Sequence, residues 1–370
     1  MLAGESSGDL LGALLLKGLL REQPSLRYGG IGGPRMVELG FDAQVPMERL
    51  AVRGYAEVLR HLPGLLRLRK QIATDLSTNK PRLFIGIDAP DFNLGLEEKL
   101  RGAGVKTLHL VCPSIWAWRA ERSEKIKRAV DHMLCVFPFE VPLLEKLGIP
   151  ASYVGHPLAD MIPLEPNRAA ARNTLGVASD GCVIALLPGS RKDEIMHIAP
   201  RFLKAAELIC AKEPGVQFLL PAAGAERKEE LRRMLTRAPQ MPIRLVDGQS
   251  HLVLEASDGV LVASGTATLE AALYKKPMVI AYAMPKLSWW MMKDKGYMPY
   301  VGLPNILAGE FLVPELLQDR ATPQALAMGL IHQMRDSHAM AQLTACYRLM
   351  HEELRCNFSQ SAARIVARFL

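Results

Sequence analysis

The chain has 370 residues, 49% hydrophobic and 22% charged; this exceeds one ordinary domain of ~100–200 residues and excludes a single small binding module. Its 25 prolines and 29 glycines form no biased tract, which excludes extended disorder. Forty-five Lys and Arg against 38 Asp and Glu give a net charge of +7, which points to an anionic partner such as nucleotide phosphate, anionic lipid or nucleic acid.

The chain opens on a small-residue loop, Gly4-Glu5-Ser6-Ser7-Gly8-Asp9, that leads into a helix rich in leucine (Leu10, Leu11, Leu14, Leu15, Leu19). In a doubly wound domain such a loop follows the first strand, which needs ~5–6 residues. Only Met1-Leu2-Ala3 precede it, so the first strand is expected to be truncated and its natural start to lie upstream. Residues 50–70 then read LAVRGYAEVLRHLPGLLRLRK. Val58, Leu59, Leu62, Leu65 and Leu66 alternate with Arg60 and Arg67, the composition of an interfacial membrane patch, although a core helix with a basic outer face has the same pattern. Pro63-Gly64 is predicted to break any single helix there.

Short apolar runs follow at 83–87, 107–111, 133–136, 182–187, 217–220, 243–246, 259–263 and 278–282. They are continuous rather than alternating, as buried parallel strands are. Segments of helical period lie between them, for example 94–102, 199–212 and 266–274, so the fold class is α/β. The stretch 155–167, with Pro157, Pro163 and Pro166, interrupts the rhythm and predicts a linker between two doubly wound domains. From Thr322 onward the composition favours helices alone. The six cysteines (Cys112, Cys135, Cys182, Cys210, Cys346, Cys356) are scattered without a CxxC pair, which fits a reducing cytoplasm and no zinc site. No run reaches the ~18–20 residues of a membrane span, and no signal-peptide pattern opens the chain.

Four loops are placed to carry chemistry. Val262-Ala263-Ser264-Gly265-Thr266-Ala267-Thr268-Leu269-Glu270 runs from a strand into a helix, whose unpaired N–H groups and positive dipole end suit a diphosphate. Glu270, one turn in, is placed to accept hydrogen bonds from ribose hydroxyls; an ordinary helix cap reads the same way. Leu187-Pro188-Gly189-Ser190-Arg191 follows another strand and puts a guanidinium where bidentate phosphate contact is made. Gly86-Ile87-Asp88-Ala89-Pro90-Asp91 places a carboxylate at a strand end suited to general-base work, with Asp88 and Asp91 both eligible. Pro113-Ser114-Ile115-Trp116-Ala117-Trp118-Arg119 sets two tryptophans in a loop, covered by ligand or by packing. His156, in Gly155-His156-Pro157, is a further turn histidine of either incidental or cleft-facing kind. A nucleic-acid role is disfavoured, since no RNP, helix-turn-helix or zinc motif occurs.

Together AGESSGDLLGA (3–13), GIDAPDFN (86–93), PSIWAWR (113–119), GHPLAD (155–160), LLPGSR (186–191), ASGTATLEAAL (263–273) and LPNILAG (303–309) resemble the lipid-A-disaccharide synthase family, in family order and over nearly the whole chain. The resemblance implies the GT-B arrangement, two Rossmann-like domains facing a cleft, with C-terminal helices crossing back to the first. The expected boundaries are 1–160 for an acceptor and membrane-facing domain, 161–340 for a UDP-sugar domain and 341–370 for the returning helices. It implies an inverting glycosyltransferase that joins UDP-2,3-diacylglucosamine to 2,3-diacylglucosamine 1-phosphate, giving the β-1,6-linked disaccharide 1-phosphate and UDP. No metal or other cofactor is expected. Asp88 is then the base and Arg191 the leaving-group stabiliser, with Glu5 at the reacting centre. Ser6, Ser190, Gly265, Thr266, Ala267, Glu270 and Asn305 are expected at the substrates. The acyl chains give the 50–70 patch a purpose at the cytoplasmic face of the inner membrane, with Trp289-Trp290-Met291-Met292-Lys293 as a second candidate. Exchange of a C-terminal helix between protomers would make a homodimer. The competing enzyme is another UDP-sugar-dependent protein of the same plan, such as a UDP-N-acetylglucosamine 2-epimerase.

Overall fold

The computed structural model describes residues 1–50, 55–117, 121–236, 241–285, 289–290 and 298–370, with side chains of 55–60 excepted. They form two compact units, Met1–Met161 joined by Glu353–Leu370, and Ile162–Glu352. The unit boundary falls inside the proline-rich stretch 155–167. Residues 341–352, expected with the returning helices, belong to the second unit.

The first unit is built on seven parallel strands: β1 (Leu2–Ala3), β2 (Gly29–Gly32), β3 (Asp42–Pro46), β4 (Phe84–Ile87), β5 (Thr107–Leu110), β6 (His132–Cys135) and β7 (Ala151–Tyr153), in the order β3-β2-β1-β4-β5-β6-β7. The second holds β8 (Val183–Leu187), β9 (Gln217–Ala222), β10 (Ile243–Asp247), β11 (Gly259–Ala263), β12 (Met278–Tyr282) and β13 (Glu315–Leu317), ordered β10-β9-β8-β11-β12-β13. Both orders reverse direction once, between β1 and β4 and between β8 and β11. Loops diverge there to opposite faces and leave a crevice at the strands' carboxyl ends. Central strands are buried end to end, as VIALL, GVLVA and FIGI show, because helices cover both faces.

β1 is only two residues long but pairs on both sides, Leu2 with Ile31 and Gly86, Ala3 with Ile87. Helix Tyr55–Thr78 runs unbroken through Pro63, contrary to the expected break. A helix-interior proline costs ~3 kcal/mol, and the half that follows offsets this by burying Leu68 and Ala73 in the core. The C-terminal helices Pro323–Arg335, Ser337–Leu354 and Phe358–Ala367 carry no strand among them. The last packs on helix Ser6–Glu22 so closely that a Cβ on Gly18 would overlap the Ser359 carbonyl. Asp160 caps it, accepting from Asn357 N at 3.0 Å and Phe358 N at 2.6 Å.

Candidate active site

In the second unit both phosphate-type loops reach the same switch point. A pocket of about 370 Å³ opens there, lined by Gly189, Ser190, Arg191, Gly265, Thr266, Ala267 and Glu270, with Gly248 and Ser250 on the far wall. Gly265 (φ +148°) turns the chain from β11 into helix Thr266–Leu273, and nothing lies within 4 Å of where its Cβ would stand. A bulky residue would be strained in that conformation and would fill the pocket. The helix start is braced from behind: buried Thr268 donates its hydroxyl to Gly265 O at 2.8 Å and accepts from Leu303 N at 3.2 Å. The amides of Gly265, Thr266 and Ala267 have no backbone acceptor among the described residues, so they face the pocket as an anion cradle.

The opposing loop is closed by Glu194. Its Oε2 accepts from Ser190 N at 3.1 Å and Arg191 N at 3.2 Å, and its Oε1 lies 3.3 Å from Arg191 Nη1. Gly189 adopts φ +111° and passes close enough that a Cβ would stand 2.5 Å from Glu194. Two amides of this loop are therefore used internally, leaving the Ser190 hydroxyl and the 76% exposed Arg191 guanidinium for a ligand. Glu270 projects into the pocket; burial raises its carboxyl above the ordinary range, partly opposed by His251, whose Nε2 is 4.0 Å away. Glu194, Thr268 and His251 escaped sequence reasoning. Only the Arg191-to-Glu194 spacing of a capping box signalled the first.

In the first unit the corresponding switch point gathers Glu5, Ser6 and Asp88. Glu5 occupies the N-cap position of helix Ser6–Glu22 with no side-chain capping bond, and both it and Ser6 are exposed. A Cβ placed on Gly4 would stand 3.2 Å from Ala89 Cβ, which makes the two loops neighbours. Asp88 follows β4 with φ +52°, and Ala89 has φ +44°. The structure separates the two aspartates: Asp91 is held by Arg122 at 2.6 Å, whereas the Asp88 carboxylate has no partner among the described residues.

Other expectations change. Asn305 is fully buried, donating to Val313 O and Glu315 Oε1 at 2.9 Å each and accepting from Val313 N at 3.1 Å. Its amide brackets helix Leu303–Ala308 to the loop before β13, so it does not face the pocket. His156 is half-buried and stacks on Phe137, and its Nδ1 accepts from Leu158 N at 3.2 Å. Desolvation pushes its pKa down to about 4, the mark of a packed neutral imidazole. Trp116 packs edge-on to Phe139 and donates to Glu140 at 3.1 Å, so packing covers it; Trp118 and Arg119 lie outside the described residues. Leu62 and Leu66 are 40% and 45% exposed, Arg67 is exposed and Leu65 half-buried. Val58, Leu59 and Arg60 lie outside the residues with described side chains, as do Met291, Met292 and Lys293. Trp290 is exposed. Among the described residues no helix is long and apolar enough to cross a membrane, and no three His, Cys, Asp or Glu side chains converge as a metal site.

A family model described as lipid-A-disaccharide synthetase matches residues 1–367. A lipid-A-disaccharide synthase from Paraburkholderia phytofirmans is 55% identical over 368 residues, 99% of this chain and 95% of that one. One from Burkholderia thailandensis is 55% identical over 371, covering 100% and 96%. Among solved structures, Staphylococcus aureus MnaA with UDP superposes with TM-score 0.63 at 12% identity, over 98% of this chain and 92% of that one. The Neisseria meningitidis UDP-GlcNAc 2-epimerase bound to UDP-GlcNAc gives 0.59 at 11%, over 99% and 97%. These structures share the two-Rossmann fold but little sequence, so an epimerase reading is not favoured. The chain belongs to the lipid-A-disaccharide synthase family, glycosyltransferases that form the lipid A disaccharide.

Proposed function

We propose that the chain moves the diacylglucosaminyl group of UDP-2,3-diacylglucosamine onto the 6-hydroxyl of 2,3-diacylglucosamine 1-phosphate in one inverting, metal-independent displacement. Asp88 accepts the proton of the hydroxyl as its oxygen attacks the anomeric carbon from the face opposite UDP. The carbon–oxygen bond to the diphosphate breaks, and the α-linked donor gives a β-linked product. Charge growing on the leaving diphosphate is met by the amides of 265–267, the Ser190 hydroxyl and Arg191, fixed donors of a kind worth ~10²–10³ in rate. Glu270 holds the ribose, and Glu5 and Ser6 face the acceptor. One observation in each unit carries this reading: two phosphate loops share one pocket at the switch point of the second, and at that of the first the Asp88 carboxylate has no partner among the described residues.

Both substrates carry acyl chains, so the enzyme works as a peripheral protein on the cytoplasmic face of the inner membrane. Exposed Leu62 and Leu66, one turn apart beside Arg67, supply an apolar contact flanked by a cation. The decisive assay follows disaccharide formation from radiolabelled acceptor in the presence of EDTA, for the parent chain, Asp88→Ala and Arg191→Ala. Parent activity in EDTA is expected, with turnover of Asp88→Ala reduced ~10²–10⁴-fold while UDP still binds. Full turnover by Asp88→Ala would remove it as the base, EDTA inhibition would remove metal independence, and an α-linked product would remove inversion.

A further inference from the structure

Beneath Asp88 lies a polar cluster that the reaction as described does not use. Asn93, Glu97 and His109 are each 0% exposed. Asn93 and Glu97 stand one turn apart on the inner face of helix Pro90–Gly102, and His109 lies on β5, in register with Gly86 of β4. His109 Nδ1 and Glu97 Oε1 are 2.8 Å apart. Gly86 is required here, because any Cβ would overlap Glu97 Oε1 and come within 3.1 Å of Asn93 Cβ. The glycine thus admits a carboxylate between sheet and helix where a strand residue would ordinarily seal the core.

The cluster reaches the catalytic loop through Asn93, whose Nδ2 donates to the Asp88 carbonyl at 2.8 Å and makes longer contacts of 3.4 Å with Ile87 O and Leu2 O. That carbonyl belongs to a strained turn. Asp88 and Ala89 are consecutive non-glycine residues at positive φ, and Val111, at the end of neighbouring β5, has φ +79°. Asp88 N donates to Leu110 O at 2.9 Å, which ties the two strained strand ends together. Backbone of this kind persists only where its surroundings over-determine it, and it concentrates at functional sites. The buried pair is a poor device for stability, since a fully desolvated carboxylate and imidazole are commonly replaced by apolar residues without loss. Asn93 Oδ1, Glu97 Oε2 and His109 Nε2 also lack hydrogen-bond partners among the described residues, which adds to the burden of keeping them.

We infer that Asn93, Glu97 and His109 form a positioning network for Asp88: Asn93 holds the Asp88 carbonyl in the left-handed turn, and the Glu97–His109 pair fixes the helix that carries Asn93 against β5. None of the three touches substrate. The inference rests on Asp88 being the base, and it makes the direction of the Asp88 carboxylate the quantity the buried cluster controls. A misplacement of about 1 Å at a reacting group costs up to ~10²-fold in rate.

The test measures kcat, donor KM, UDP affinity and melting temperature for Asn93→Ala, Glu97→Gln and the double variant Glu97→Leu/His109→Leu, each in the parent and in the Asp88→Ala background. Asn93→Ala and the double leucine variant are expected to lose ~10–10²-fold in kcat with donor KM and UDP affinity unchanged. Glu97→Gln, which keeps an acceptor for His109, is expected to retain most of the rate. The double leucine variant is expected to melt no lower than the parent, which separates positioning from folding. In the Asp88→Ala background neither change should cost anything further, since coupled residues are non-additive. A double leucine variant that folds and turns over at the parent rate overturns the proposal, and so does a further additive loss in the Asp88→Ala background. Failure of the base assignment shows separately, as full activity in Asp88→Ala alone.

Discussion

Glu270 stands one turn inside helix Thr266–Leu273, where burial raises its carboxyl pKa and the His251 imidazole opposes the rise more weakly. A carboxyl with a raised pKa takes up its proton at a higher pH than one in water. With Glu270 holding the ribose as proposed, protonation removes that acceptor, so UDP affinity is expected to weaken as pH falls from 8 toward 5. Glu270→Gln should bind UDP more weakly at pH 8 and show only the pH dependence of the nucleotide itself. Titration calorimetry of both proteins across that range checks this, and parallel profiles would remove Glu270 from the ribose. Of the residues that line the pocket, several were legible in the sequence. Arg191, Gly265, Thr266 and Glu270 announced themselves because a charge or a small residue at a strand–helix junction has few other uses. Asn305 was misread because a family motif marks a residue without saying whether its polar groups turn outward to ligand or, as here, inward to Val313 and Glu315.

Among elements, helix Thr266–Leu273 shows how a short segment is made rigid enough to present amides. Thr268 is completely buried and serves both Gly265 O and Leu303 N. Thr268→Val keeps the shape but leaves Leu303 N without its acceptor, at a cost of ~1–3 kcal/mol where buried, while Gly265 O keeps only the bond from the residue 268 amide. It is expected to lower the melting temperature and raise donor KM together; a changed melting point with unchanged KM would mean that the brace does not act on the phosphate cradle. Asp160 does comparable work for helix Phe358–Ala367, accepting from its first two amides. Asp160→Ala should cost ~1–2 kcal/mol of stability, read as a lower urea midpoint. Central strands such as β8, β11 and β12 were visible in the sequence because burial on both faces leaves no polar position. Strands β2, β3, β7 and β13 were not, since GGIG, DAQVP, ASY and ELL are short, part-exposed and carry glycine or polar residues. Pro63 misled for a related reason: the local cost of proline is real, but the packing of Leu68 and Ala73 that offsets it is tertiary.

On the scale of the whole molecule, the order of strands is what turns separate loops into sites. Nothing local in LLPGSR or ASGTATLE states that their strands are neighbours, yet β8 and β11 pair directly, from Ile184 with Gly259 to Leu187 with Val262. The first unit holds a second whole-molecule property in its buried polar groups, which tie stability to pH. Desolvation raises the pKa of Glu140 from 4.5 to about 8, its bonds to Phe137 N and Trp116 opposing the rise. Between those values the unfolded chain releases a proton that the native chain retains, so the stabilisation present below pH 4.5 is lost as pH rises toward 8. His156 runs the other way: its native pKa of about 4 against 6.5 makes stability fall as pH drops below 6.5. From pH 6.5 to 8 the His156 contribution is nearly complete, whereas that of Glu140 declines by on the order of 2 kcal/mol. The melting temperature of the parent is therefore expected to fall, relative to Glu140→Gln, across that window. Groups that titrate in both chains cancel in the comparison, so the difference in slope belongs to Glu140. Parallel melting curves of the two proteins from pH 6.5 to 8 would show that Glu140 is already ionised in the folded state, its charge carried by the Trp116 and Phe137 donors.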